Sequence, residues 1–148
     1  MDTLVIILMS QCPACRRLKP TLPDIERSIR KITPDLNVEN IIIDELVRDS
    51  KYTEFIKTIP FFPFIVATTK ESYSNWKNNG IVDVDYVNAF DCEFDGSKFK
   101  PQNKVRGFTA HEIIKWWNDV IETTKEEEPQ IPMYTGLIEN DAYNLYCK

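Results

Sequence analysis

Basic residues are in the minority: 18 Lys and Arg face 23 Asp and Glu, leaving this 148-residue chain at a net charge of −5. A nucleic-acid-binding domain needs a basic stripe to neutralise phosphates, and none can be drawn here, so no nucleic-acid partner is expected. Long apolar runs are missing as well. None approaches the ~20 residues that cross a bilayer, which argues against a membrane partner. The apolar run after Met1 follows Asp2 where a secretory leader would carry basic residues, so the mature chain is expected to start here. Histidine occurs once, at His111, and cysteine four times. A structural zinc site takes four ligands, and beyond Cys12 and Cys15 the candidates Cys92, Cys147 and His111 stand singly, so no metal is expected. His111 reads as an exposed residue of a helical first turn, Cys92 as a small hydrophobe and Cys147 as a surface thiol. Cysteine this sparse does not staple a fold. A reducing compartment follows, the cytoplasm (or a virion or host cytoplasm for a viral source). No cofactor is expected.

What is present points to one folded α/β domain, with the charged and apolar fractions of an ordinary globular chain. Its organising stretch is Thr3 to Lys19. The run Leu4-Val5-Ile6-Ile7-Leu8-Met9 reads as a buried strand, Ser10-Gln11 as a turn, and Cys12-Pro13-Ala14-Cys15 as the opening of a helix. This places two thiols at the carboxyl edge of a strand, where open α/β sheets carry their chemistry. Unpaired N–H groups and the positive end of the helix dipole both favour thiolate over thiol there. Pro13 suits the first turn, because its missing N–H costs nothing and its φ is already helical. Cys15, Leu18, Leu22, Ile25, Ile29 and Ile32 step by three and four, one helical face. Cys15 therefore begins the buried stripe, and Cys12 sits at the mouth. The spacing makes Cys12 the attacking thiolate and Cys15 the thiol that resolves a mixed disulfide. Arg16, Arg17 and Lys19 lie beside them, either as a solvated helix face or as a positive potential that stabilises a thiolate or attracts an acidic partner.

A strand, a Cys-x-x-Cys and a helix with Pro20 five residues past the second cysteine resemble a thioredoxin-fold thiol–disulfide oxidoreductase. The chain looks like a divergent member of the thioredoxin/glutaredoxin-like superfamily over about residues 3–124. That resemblance implies a mixed central sheet flanked by helices, with an insertion at about 71–90 before the last hairpin strand and a C-terminal extension at 125–148. It implies exchange of protein disulfides through Cys12 and Cys15, with a thioredoxin-reductase-like enzyme or glutathione as electron donor. It also implies a cis-proline just before the third core strand, facing the cysteines. Pro60 and Pro63 compete for that place. A proline inside a central strand deletes a ladder bond, which favours Pro63, whereas the spacing from Asp44 favours Pro60 slightly. With Pro63, the Phe62 backbone and Pro63 form the substrate-binding pair. Departures from the family are Ile6 where thioredoxins keep a buried acid, Gln11 where they carry Trp, and Gly107-Phe108-Thr109 in place of the glutaredoxin Gly-Gly turn. The alternative function is a non-catalytic adaptor of the same fold, binding through the insertion and the tail.

Elsewhere the pattern predicts a kink at Pro20 and Pro23 with Thr21 and Asp24 recapping the helix, and a buried strand over Val38–Ile43. A helix is predicted over Leu46–Lys57 with Leu46, Val47, Phe55 and Ile56 inward, and a strand over Phe64–Thr68. Asn78-Asn79-Gly80 reads as a turn, Ile81–Val87 as strand or helix, and Asp95-Gly96 as a hairpin turn. Thr109 and Glu112 form a capping box, with Phe108 and Ile113 as its staple, ahead of a helix burying Ile113, Trp117, Val120 and Ile121. Glu126–Pro129 ends that helix. The tail, with Tyr134, Leu137, Ile138, Tyr143, Leu145 and Tyr146, is apolar enough to pack on the domain or to join two copies as a homodimer.

Overall fold

Every residue of β1 (Thr3–Leu8) is buried, because the strand has a neighbour on each side and a helical layer on each face. The computed structural model describes residues 1–44, 52–102 and 107–127, with side chains to residue 124. After β1 come α1 (Pro13–Leu18), a 3-10 turn (Lys19–Thr21), α2 (Leu22–Ile32), β2 (Asn37–Ile42), α3 (Thr53–Lys57) and β3 (Phe64–Thr68). The chain continues through α4 (Lys70–Asn79), β4 (Val87–Ala89), β5 (Cys92–Phe94), β6 (Phe99–Pro101) and α5 (Ala110–Glu127). The main sheet runs β2-β1-β3-β4, with β1 and β2 parallel and the other pairs antiparallel. β5 and β6 form a separate hairpin, whose Asp95 carboxylate accepts from the Ser97 and Lys98 N–H groups. The architecture is thus α/β, a mixed sheet flanked by helices.

Strand alternation divides the core in two. Leu4, Ile6 and Leu8 face α1, α2 and α5, where Cys15, Leu18, Ile25, Ile29, Ile113 and Trp117 close over them. Val5 and Ile7 face α3, α4 and the hairpin, meeting Phe55, Tyr73, Trp76 and Phe99. In this second layer Trp76 lies 4.6 Å from Phe55 and 5.7 Å from Phe99, centroid to centroid. The indole N–H of Trp76 donates to Thr58 Oγ1 at 2.8 Å, and that hydroxyl donates to the Phe55 carbonyl at 2.7 Å. A buried polar pair is thereby satisfied inside an aromatic cluster.

Several elements differ from the sequence pattern, each for a local reason. β2 is half-buried, with Asn40 exposed, and not buried, because it is the sheet edge; of the expected stretch only Ile43, just past β2, is buried. The helix after the cysteines is interrupted by a 3-10 turn. Pro20 and Pro23 lack the N–H groups that would reach the carbonyls of Arg16 and Lys19, so Leu22 N–H bonds Lys19 O across three residues instead. Thr21 does not cap α2; its hydroxyl donates back to the Leu18 carbonyl at 2.7 Å, an acceptor the tightened turn leaves open. Residues 81–86 are neither strand nor helix, and only Val87 enters a strand. The segment at 71–90, read as an insertion, supplies Tyr73, Trp76, Val87, Ala89 and Phe90 to the core. It begins as a helix capped by Thr69, whose hydroxyl accepts from Ser72 N–H at 3.2 Å. Asn78-Asn79-Gly80 is its C-terminus. Gly80 sits at φ +71, with the site of a Cβ only 2.6 Å from Glu54 Cβ, so glycine is required both by the left-handed turn and by the approach of α3.

α5 opens as the capping pattern implies, with Thr109 Oγ1 accepting from Glu112 N–H at 3.3 Å. It buries Trp116 beside Ile113, Trp117 and Val120, and Ile121 is only half-buried. Each indole N–H has a partner at 2.9 Å, Asn88 for Trp116 and Thr33 for Trp117. Among the described residues no helix is long and apolar enough to cross a membrane. Leu46 and Val47, Val105 and Arg106, and the tail with Cys147 lie outside the described residues.

Candidate active site

The loop from β1 into α1 is held by its own backbone: Cys12 N–H donates to the Met9 carbonyl at 3.2 Å, and Arg16 N–H to the Cys12 carbonyl at 3.0 Å. Cys12 is the N-cap of α1 in an extended conformation, and Pro13 follows as the first helical residue. Its Sγ takes the role that a serine or aspartate oxygen takes at other helix starts, accepting from Cys15 N–H at 3.3 Å. One turn below, the Cys15 Sγ accepts from Met9 N–H at 3.4 Å and is buried among Ile6, Leu18 and Leu22. Both cysteines are free thiols.

The opposite wall comes from the segment before β3. The Phe62–Pro63 peptide bond is cis, Pro63 is buried, and β3 starts at the next residue. The Cys12 thiol donates to the Phe62 carbonyl at 3.5 Å, across 50 residues of chain. Cys12, Cys15, Phe62 and Pro63 therefore meet at one edge of the sheet, although they come from two separate segments. Phe61 and Phe108 add a ring pair 6.2 Å apart beside them. Ser10 and Asp44 are hydrogen-bonded at the same edge, joining the loop after β1 to the end of β2.

The two sulfurs are driven in opposite directions. Burial works to raise Cys12 but is outweighed by hydrogen bonds from the Cys15 thiol and from the N–H groups of Cys15 and Ala14, and by the Arg17 charge; the net direction is down. Cys15 is pushed up to about 11, chiefly by burial and further by the sulfur of Cys12, against the pull of Met9 N–H. Cys92 sits in the other core layer, where burial, with the neighbouring Asp91 charge, pushes it up to about 12. His111 is exposed on the first turn of α5. Among the described residues no group of three or more His, Cys, Asp or Glu side chains is placed to hold a metal ion.

Two participants carry no sequence signal of their own. The Met9 N–H is a main-chain group, whose availability depends on how the chain turns. The Phe61–Phe108 pair joins residues distant in sequence. A groove of about 1030 Å³ between β4, β5 and the second half of α5 is lined in part by Cys92 and includes neither Cys12 nor Cys15. Beside Cys12, Ser10, Gln11 and Pro13 are exposed.

The pH dependence of labelling follows from these shifts. Only thiolates alkylate, and the ordinary thiol value is about 9. Iodoacetamide at pH 7 to 8 is therefore expected to label Cys12 before Cys15 and Cys92, and its rate should level off below pH 9. Peptide mapping of timed samples checks both points; first labelling at Cys15 would reverse the assignment of the two sulfurs. Comparison of the chain with protein-family models, with curated proteins and with solved structures finds no match.

Proposed function

We propose that this chain is a thiol–disulfide oxidoreductase with a thioredoxin-like fold, acting on protein disulfides through Cys12 and Cys15. The observation that carries the reading is a part-exposed sulfur at a helix start, receiving a backbone N–H at 3.3 Å, above a buried sulfur receiving another at 3.4 Å. The reading is supported by a proline directly before β3 on the far side of Cys12, and by α5 following Gly107 as the last described element.

In the first step the Cys12 thiolate attacks one sulfur of a substrate disulfide. The substrate S–S bond breaks, a Cys12–substrate disulfide forms, and the departing sulfur leaves as a thiolate, which takes up the proton that Cys15 gives up in the next step. In the second step Cys15 loses its proton and attacks the Cys12 sulfur. The mixed disulfide breaks, the Cys12–Cys15 disulfide forms, and the second substrate sulfur leaves reduced. Two electrons pass from the dithiol to the substrate. The order suits the shifts described above. One contribution that raises Cys15 is the neighbouring Cys12 sulfur, and bonding Cys12 to substrate removes its charge. The Met9 N–H is then already in place to stabilise the Cys15 thiolate. Ile6, not a carboxylate, packs in the same cluster as Cys15, so the described residues place no acid beneath it to take the proton. The substrate thiolate released in the first step is the nearest base this chemistry supplies.

The test is dithiothreitol-driven reduction of insulin, followed by turbidity. The expected result is precipitation well ahead of the dithiothreitol-only control. A rate equal to that control would end this reading and leave a binding role.

A further inference from the structure

The basic residues of the first helical segment fall into two groups. In α2, Arg27 pairs with Asp24 at 2.7 Å and Arg30 with Glu26 at 3.1 Å, so two of that helix's three cations are neutralised within it, and the third, Lys31, stands at the end far from the thiols. Arg16, Arg17 and Lys19 are exposed, and among the described residues no carboxylate pairs with them. The first turn of α1 carries no acid. Asp44, at the same edge of the sheet, is engaged by the Ser10 hydroxyl.

Cys12, Arg16 and Lys19 stand at i, i+4 and i+7, one stripe of a helix, next to the buried stripe that Cys15 begins. The stripe stays continuous into the 3-10 turn, because Lys19 N–H still bonds the Cys15 carbonyl. From Cys12 to Lys19 it extends roughly 10 Å along the axis, at about 1.5 Å per residue. An extended peptide covers that length in about three residues. The cations therefore match a run of acidic side chains better than one small anion, in a chain that is otherwise acidic.

We propose that the substrate of this site is a protein disulfide whose flanking residues are Asp or Glu, seated along Arg16 and Lys19 while its sulfur meets Cys12. This rests on the oxidoreductase reading above and adds the charge class of the substrate to it. Attraction of this kind speeds encounter by about ten- to a thousandfold and fades as salt screens it.

The experiment uses three peptides differing only beside one cysteine, flanked by Glu, Gln or Lys, each as its mixed disulfide with thionitrobenzoate. Attack by Cys12 forms the Cys12–peptide disulfide and releases the coloured thiolate, read by stopped flow with the full-length reduced protein. The Glu peptide is expected to react about tenfold faster than the Lys peptide at low salt, narrowing to within about twofold at 0.5 M NaCl. The charge-reversed variant Arg16→Glu/Lys19→Glu is expected to invert that order while still reacting with the Gln peptide. Equal rates for the three peptides, with the Gln peptide reacting, would overturn the proposal and spare the oxidoreductase reading. A failure of all three to react would overturn both. A small dicarboxylate disulfide, dithiodiglycolate, serves as the last arm. Should it gain as much over its neutral amide as the Glu peptide gains over the Gln peptide, the site takes a small carboxylate and the peptide assignment is wrong.

Discussion

Cys12→Ser is expected to reduce insulin no faster than the reductant alone, whereas Cys15→Ser should still attack and then stall as a stable Cys12–substrate disulfide. The two variants fail at different steps because the sulfurs differ in position. A serine hydroxyl at the N-cap keeps the hydrogen bond from the residue-15 N–H and so keeps the helix start, but it is not ionised near neutral pH and cannot attack a disulfide. Serine at position 15 likewise leaves an acceptor for Met9 N–H. What it removes is the second nucleophile, so the mixed disulfide has no intramolecular exit. Non-reducing electrophoresis of Cys15→Ser incubated with oxidised substrate should show an adduct that dithiothreitol dissolves. Cys92 cannot substitute, since it is buried in the opposite core layer with its thiol pushed up to about 12. Wild-type turnover by Cys12→Ser, or release without adduct by Cys15→Ser, would remove the assigned roles.

The second large effect is on stability. Trp76→Ala should cost about 3–5 kcal/mol, the range for truncating a buried large aromatic. Trp76 is fully buried and lies within 6.4 Å of Phe55, Phe64, Tyr73 and Phe99, centroid to centroid. Its loss also frees the Thr58 hydroxyl from the indole N–H at the centre of that cluster. Domains of this size hold only about 5–15 kcal/mol in total, so the variant should sit near the edge of folding. Urea titration followed by circular dichroism gives the difference directly. A loss below about 1 kcal/mol would mean that α4 is peripheral to the core.

Such a result would matter because α4 is where the sequence was hardest to read. Lys-Glu-Ser-Tyr-Ser-Asn-Trp-Lys-Asn-Asn offers two apolar residues in ten, too few for a helical stripe, yet both are buried. Its ends were the legible part: Thr69 at the start and Gly80 after the last residue are cap chemistry, and Asn78-Asn79-Gly80 looks like a turn because it is one, at the end of a helix. β1, by contrast, was plain from a short unbroken apolar run that stops at Ser10-Gln11, the pattern of a strand buried on both faces. The stretch from Val38 to Ile43 gave a misleading impression of depth, since its isoleucines do not reveal whether a strand has one neighbour or two, and Glu39 and Asn40 were the signal of an edge. Trp116 was missed because it lies on the flank of the α5 stripe, where Asn88 receives its N–H. At the site, both cysteines and Phe62–Pro63 could be named from spacing, strand signals and the resemblance. The Met9 N–H could not, because main-chain direction is decided by folding and not by residue type.

Phe62 occupies an unusual station. Its ring rests against both core layers, while its carbonyl receives the Cys12 thiol. A repacking on either side of the sheet has a short mechanical route to that oxygen. Substitutions in either core layer can therefore shift the oxygen that Cys12 Sγ meets, although none of them touches a sulfur.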